Sequence, residues 1–320
     1  MGSEKSPQAE IAAFASAAEA DRRIAGVAAA GRAIRVLAEA GANEVILRIG
    51  DGAALASATL ADIERLRGAT RAVVEPGEGR PLSLPTSWEI VRATGKPGDG
   101  LVSRWLNRPI SQRITLLVLR ISGARPGHVT AINALLALAM IPVLLLGGET
   151  GLVLGGIMFQ TASVLDGVDG EMARATFRTS TAGAALDSAV DIATNLIFVS
   201  AFTVNLALRD GDEIGWIGAW AVTLSLVGGL LIARRVRAGG APLGFDLFKR
   251  SVRIRGVVDL VYWAVQTLTG RDCFAFLYMA LILVGLERTA LMIYAGVGTI
   301  WIAYVLGSLL PVPRAFRGAA

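Results

Sequence analysis

Four aspartates fall at fixed spacing inside a stretch apolar enough to lie in a membrane, and this constrains the chain more than any other feature. The stretch reads Asp166-Gly167-Val168-Asp169-Gly170-Glu171-Met172-Ala173-Arg174, then eight residues, then Gly183, with Asp187 and Asp191 following at intervals of four. Helical spacing puts positions 166, 169, 170, 173 and 174 on one face, and 183, 187 and 191 on one face of the next helix. Each helix then offers a stripe holding two carboxylates. The small residues Gly170, Ala173 and Gly183 let a neighbouring helix or a flat ligand approach the backbone. Carboxylates crowded in this way oppose one another's ionisation unless cations neutralise them. Oxygen-only donors suit Mg2+, Mn2+ or Ca2+ better than zinc. The plainer alternative is four aspartates that cap helices or pair with arginines. It has to explain why such costly groups sit among apolar residues, where ionisable side chains usually serve function.

Hydrophobic residues make up 53% of the 320, and their excess lies after residue 127. The chain therefore reads as an all-α polytopic membrane protein with a small N-terminal cytosolic α/β region. Six transmembrane helices are expected, at roughly 128–147, 151–166, 185–208, 214–233, 273–287 and 290–311. Arg104, Arg108, Arg113, Arg120 and Arg125 precede the first span. Arg234, Arg235, Arg237, Lys249, Arg250, Arg253 and Arg255 separate the fourth from the fifth, and Arg314 and Arg317 follow the last. The positive-inside rule then puts both termini and the aspartate motif on the cytoplasmic side. Counting from Gly151 at 1.5 Å per residue places Asp166 roughly 22 Å along its helix. In a hydrocarbon core about 30 Å thick, that is a shallow cavity open to the cytosol.

The net charge of +5 follows from this asymmetry and from anionic lipid headgroups. Membrane lipids are expected partners; no nucleic-acid motif is present. The single Cys273 excludes a disulfide framework, and the single His128 cannot build a zinc site and reads as part of a helix start. Leu101 to Leu119 mixes arginines with Trp105, Ile110 and Leu117, which reads as an amphipathic interfacial helix. A soluble helix packed on the N-terminal region is the alternative. Gly256 to Gly270, with Trp263, reads as a second interfacial segment.

Residues 1–96 form a separate region, with a helix near Ala30–Ala40 and strands near Glu44–Ile49 and Arg71–Glu75. Gly77-Glu78-Gly79-Arg80 fits a plain turn better than a phosphate loop. Leu82 to Pro85 and Gly95 to Gly100 read as linker. The membrane part is then 97–320.

The aspartate pattern resembles the CDP-alcohol phosphatidyltransferase motif D-x2-D-G-x2-A-R-x8-G-x3-D-x3-D, with every fixed position filled. The resemblance implies two divalent cations, Mg2+ or Mn2+, that hold the diphosphate of a CDP-alcohol donor while an acceptor alcohol attacks and CMP leaves. By position, Asp166, Asp169 and Asp187 are the main metal ligands, and Asp191 is the catalytic base and a further ligand. Gly170, Ala173 and Gly183 make room for the cytidine, and Arg174 lies near the phosphates. A homodimer in a bacterial or archaeal cytoplasmic membrane is the expected assembly.

A second resemblance refines the first. Lys96 to Arg104, followed by Asn107-Arg108-Pro109-Ile110-Ser111, is similar to the junction in fused inositol-phosphate cytidylyltransferase/di-myo-inositol phosphate phosphate synthases. Leu165 to Glu171 and Gly270-Arg271-Asp272 look like their synthase half. Residues 1–96 resemble a degenerate nucleotidyltransferase that lacks the Gly-rich nucleotide loop and the following Lys-Pro. Pro126-Gly127-His128-Val129-Thr130 stands where many relatives have Pro-Asn-x-x-Thr. The expected acceptor is an inositol phosphate or another phosphorylated polyol, gripped by Arg178, Arg234 and Arg235. Phospholipid synthesis from CDP-diacylglycerol, or transfer to a lipid hydroxyl, is the main rival. An ion-coupled transporter using the carboxylates is the reading from another class, although no internal repeat supports it.

Overall fold

The computed structural model describes residues 9–96, 99–238 and 271–309. Expectations for Pro97, Gly98, the basic residues Lys249 to Arg255, the segment Gly256–Gly270, and Arg314 and Arg317 lie outside the described residues, as does the side chain of Arg235. The chain forms two compact units. The first contains Met1–Gly95, Ile114–Ala124 and Glu171–Arg178; the second contains Lys96–Arg113, Arg125–Gly170 and Thr179–Ala320.

In chain order the first unit runs β1 (Ala9–Phe14), α1 (Ala17–Asp21), β2 (Arg23–Ile24), β3 (Val27–Ala28), α2 (Ala29–Glu39), β4 (Glu44–Ile49), α3 (Ser57–Leu66), β5 (Arg71–Pro76) and α4 (Ser87–Ala93). β1, β4 and β5 make a parallel sheet in that order, while β2 and β3 form a short antiparallel pair. β4 alternates: Val45, Leu47 and Ile49 point into the core, with half-buried residues between them. The small residues Ala29, Ala30 and Ala33, with Ile34, let α2 pack closely in the same core. α2, β4 and β5 match the sequence reading, whereas β1, α3 and α4 were not expected. α4 begins with Thr86-Ser87-Trp88-Glu89. The Thr86 hydroxyl accepts from the Glu89 amide, and the Glu89 carboxylate accepts from the Thr86 amide.

The second unit opens with a π-helical turn (Ser103–Asn107) that leads into α5 (Arg108–Val118). Among the described residues, six long or apolar helices follow: α6 (Pro126–Leu146), α7 (Gly148–Ala175), α8 (Thr181–Asp210), α9 (Asp212–Ala238), α10 (Arg271–Leu283) and α11 (Glu287–Leu309). The C-terminal ends of α5 and α7 run on into the first unit. Among the described residues, α6, α7 and α8 are long and apolar enough to cross a membrane, and α10 is a shorter apolar helix. Of the six expected spans, these three are the ones that length and composition support. α7 continues past the expected span to Ala175, which keeps positions 166, 169, 170, 173 and 174 on one helix as their spacing requires. His128 lies in the first turn of α6, as expected.

An aromatic core joins α7, α8 and α10. The Phe159 and Phe198 rings stack 4.1 Å apart, and Tyr278 meets the Phe198 and Phe202 rings edge-on at 5.1 and 5.3 Å. Asn205 Nδ2 donates to Leu144 O (2.5 Å) and Gly148 O (3.0 Å), so the buried carbonyls at the α6–α7 corner find a donor.

Candidate metal and nucleotide site

Asp166 lies on α7, and Asp187 and Asp191 lie one turn apart on α8. One carboxylate oxygen from each of the three falls within 4.8 Å of the others, and each side chain is half-buried. Three anionic oxygens converging at partial burial repel one another, and a divalent cation placed among them removes that cost. The donor set therefore fits a hard divalent ion. The side chain of Ser180 accepts from the Gly183 amide (3.0 Å) at the α8 N-terminus, which fixes where the Gly183-Asp187-Asp191 stripe begins.

Asp169 stands apart from this group. It is 4% exposed, and its Oδ2 accepts a 2.6 Å hydrogen bond from the Thr130 hydroxyl on α6, itself 6% exposed. Of the four motif aspartates, three fall within this 4.8 Å group, and Asp169 accepts from Thr130 on α6.

The sequence profile of CDP-alcohol phosphatidyltransferases matches residues 124–309, more than half of the 320. The chain belongs to the CDP-alcohol phosphatidyltransferase family. It is similar to the bifunctional IPC transferase and DIPP synthase of Thermococcus kodakarensis, 36% identical over 168 residues, covering 52% of this chain and 36% of that protein. A protein of the same name from Aquifex aeolicus is 38% identical over 122 residues (38% of this chain, 27% of the relative). Another from Archaeoglobus fulgidus is 34% identical over 103 residues (32% and 20%). The chain thus spans little more than a third of the length of these relatives at most.

Around the family motif the structure adds residues that sequence reasoning did not single out as functional. A Cβ on Gly167 would lie 3.0 Å from Ser111 Oγ, 3.1 Å from Ser111 Cβ and 3.5 Å from Arg108 Nη1, so the glycine allows α5 to pack closely on α7. Arg108 is gripped by Asp99 through Nε (2.8 Å) and Nη2 (3.0 Å), a bidentate pair with little exposure on either side. Burial alone would push the Asp99 carboxyl up, but the Arg108 hydrogen bonds and charge, with Lys96, hold it below the usual carboxylate range. Asn107 is buried; its Nδ2 donates to Ser163 Oγ (3.1 Å) and its Oδ1 accepts from Gln160 Nε2 (2.8 Å). Asp272 Oδ2 accepts from the Ser103 amide (2.7 Å), and a Cβ on Gly100 would overlap the Asp272 carboxylate. Gly100 and Ser103, from the first segment quoted for the second resemblance, therefore meet Asp272, from the other.

Two fixed motif positions, Ala173 and Arg174, lie in the first unit. Ala173 is half-buried, and Arg174 donates through Nε to Thr94 O (2.8 Å). Glu171 is fully buried and accepts from the Thr115 hydroxyl (2.6 Å). Arg178 is exposed in the turn after α7. In the second unit, Gly170 is half-buried, Gly183 is exposed, and Arg234 is exposed on α9.

In the α/β region the chain's own carboxylates accept from several loop amides. Glu19 Oε2 accepts from Ala15 N (2.9 Å), and Asp51 accepts from Ala17 N (3.1 and 3.2 Å). Asp21 accepts from Ala56 N (3.1 and 3.2 Å). These amides follow β1 and β4 at the carboxyl edge of the sheet, where nucleotides bind in open α/β folds. The Gly77–Arg80 segment has no regular structure, and its Glu78 carbonyl accepts from Arg48 (3.4 Å).

Proposed function

We propose that this chain transfers a substituted phosphate from a CDP-alcohol to the hydroxyl of a second alcohol, with release of CMP. The observation that carries the reading is the convergence of Asp166, Asp187 and Asp191 in a member of this family. These three residues would hold divalent cations, two Mg2+ or Mn2+ by family resemblance, with Asp169 contributing from its place beside Thr130. Bound cations would neutralise the donor diphosphate and the leaving CMP. Asp191 takes the proton from the acceptor hydroxyl. The acceptor oxygen then bonds to the phosphorus that bears the donor alcohol, and the bond from that phosphorus to the CMP oxygen breaks. Gly170, Ala173 and Gly183 leave room for the cytidine, and Arg174 supports the phosphates.

The acceptor we favour is an inositol phosphate or a related phosphorylated polyol, which the likeness to DIPP synthases supports. Arg178, Arg234 and Arg235 would bind its phosphate. We read all six helices from α6 to α11 as spans, with the site and both termini cytoplasmic, in keeping with the arginine distribution. We read residues 1–96 as a region without nucleotidyl transfer, because Glu19, Asp21 and Asp51 already accept from its loop amides.

The test is CMP release by purified protein given CDP-inositol or CDP-diacylglycerol, with mass spectrometry of the product. EDTA should stop turnover and Mg2+ or Mn2+ should restore it. Asp191→Asn should abolish CMP release while donor binding largely survives. Full activity in chelator, or near-normal CMP release by Asp191→Asn, would overturn the site as drawn.

A further inference from the structure

The C-terminal end of α7 is held in a way that an ordinary solvent-exposed helix end does not need. A helix leaves its last carbonyls without intrahelical partners and carries partial negative charge there, and water normally satisfies both. Here the Arg178 amide donates back to Ala173 O (2.8 Å) and the Phe177 amide to Arg174 O (3.3 Å). Phe177 sits between them at φ +56°, in the left-handed position that glycine usually takes. For a bulky side chain that conformation is strained.

The strain persists because the ring and the helix end are both gripped. The Arg32 and Arg35 guanidinium groups lie 5.4 and 5.6 Å from the Phe177 ring centroid. Arg32 Nη2 donates to Ala175 O (2.6 Å), and Arg65 Nη1 donates to Thr176 O (3.0 Å) and Phe177 O (3.4 Å). Arg32 is 4% exposed and also donates to Ile24 O (2.7 Å) and Ala25 O (3.0 Å). Burial lowers its pKa to about 10 despite the nearby Asp62 charge. Asp62 fixes Arg65 by a 3.0 Å ion pair and accepts from Arg23 (2.6 Å) and the Ala28 amide (3.1 Å). Ala25 and Gly26 take positive φ, +43° and +79°, and Gly26 packs so near Leu119 that a Cβ would come within 2.9 Å.

We propose that Arg32 and Arg65 are positioning residues for the transfer reaction: they cap α7 and lock the Ala175–Arg178 turn that joins the two aspartate-bearing helices. α7 is continuous from Asp166 to Ala175, about 14 Å at 1.5 Å per residue. α8, with Asp187 and Asp191, starts at Thr181, only three residues after Arg178. The turn is thus the shortest covalent link between the two halves of the carboxylate group, and its conformation sets how α8 leaves α7. The proposal gives the α/β region a task that needs no nucleotide. It rests on the transfer reading given above.

The test uses full-length protein in detergent, with CMP release at saturating Mg2+ and amide hydrogen exchange over 172–178. Arg32→Met and Arg65→Met should each lower kcat at least tenfold, with donor KM changed less than twofold and exchange at 175–178 accelerated. Arg32→Lys should recover part of the loss. Phe177→Gly, which suits the left-handed turn but removes the ring, should also lower kcat. If Arg32→Met does not fold, Arg65→Met and Phe177→Gly decide the matter, and wild-type kcat in both overturns the proposal. If the wild type releases no CMP from either donor, the transfer reading falls instead. Exchange then judges the cap alone, and wild-type protection in Arg65→Met and Phe177→Gly overturns it.

Discussion

Asp169 offers the sharpest test of how the motif divides its work. The family resemblance makes it a metal ligand, yet its carboxylate lies with Thr130 and outside the group of Asp166, Asp187 and Asp191. Thr130→Val keeps the side-chain shape and removes the hydroxyl that donates at 2.6 Å. Hydrogen bonds to charged groups contribute about 1.5–3 kcal/mol, and a buried acceptor that loses its donor bears much of that cost. If the Thr130 bond holds Asp169 where donor binding needs it, the loss in kcat/KM should be about 10- to 150-fold, with Thr130→Ser close to wild type. Asp169→Asn separates the two roles. An amide oxygen can still accept from Thr130, so a purely structural Asp169 would survive the change with little loss, whereas a cation ligand would not. The assay is steady-state CMP release across Mg2+ concentrations. Wild-type kcat/KM in Thr130→Val would refute the coupling. A mild Asp169→Asn phenotype with unchanged Mg2+ dependence would remove Asp169 from the ligand set.

Two further outcomes are expected. Replacing Arg178 or Arg234 with Ala should raise the acceptor KM at least tenfold, about 1.4 kcal/mol, with donor KM little changed; if neither variant moves the acceptor kinetics, the acceptor is an uncharged or lipid hydroxyl. The depressed Asp99 carboxyl gives a pH test: its pairing with Arg108 stabilises the fold fully above the unfolded value near 4 and is lost as pH falls through the lower folded value. The unfolding-midpoint gap between wild type and Asp99→Asn should therefore be constant above about pH 5 and close in acid; a gap that does not vary with pH would contradict the pairing.

What the sequence revealed depended on how local the signal was. The aspartate helices were legible because one carries its chemistry at i, i+3 and i+4 and the other at i, i+4 and i+8, and Asp187 and Asp191 fall one turn apart as that spacing requires. β4 was legible from its alternation. α4 was missed although Thr86 and Glu89 form a capping box, because the preceding Leu82–Pro85 reads as linker. β1 is alanine-rich and has little intrinsic strand preference, so its place beside β4 comes from tertiary pairing. The separation of Asp169 could not be read from helical phase alone, because it depends on Thr130, 39 residues away. The same holds for Asp272, which meets Ser103 across 169 residues, and for Arg108, which finds Asp99 across the π-helical turn.

These long-range contacts also change how the motif itself should be understood. The fixed letters of D-x2-D-G-x2-A-R mark chemistry, but the residues between and before them are constrained as strongly by packing. On α7, Gln160, Ser163 and Gly167 follow one another at i, i+3 and i+7 and meet Asn107 and Ser111 of the preceding helical segment. Asp166 turns toward Asp187 and Asp191, and Asp169 toward Thr130 on α6. Farther along the same helix, Arg174 is tied to Thr94 and the terminal carbonyls to Arg32 and Arg65. One helix therefore presents a different partner on each face, and a rotation that improved one set of contacts would break the others. Three carboxylates that repel one another stay together through a cation placed among them, through helices fixed from outside the site, or both, and the contacts along α7 fix the helix that bears Asp166.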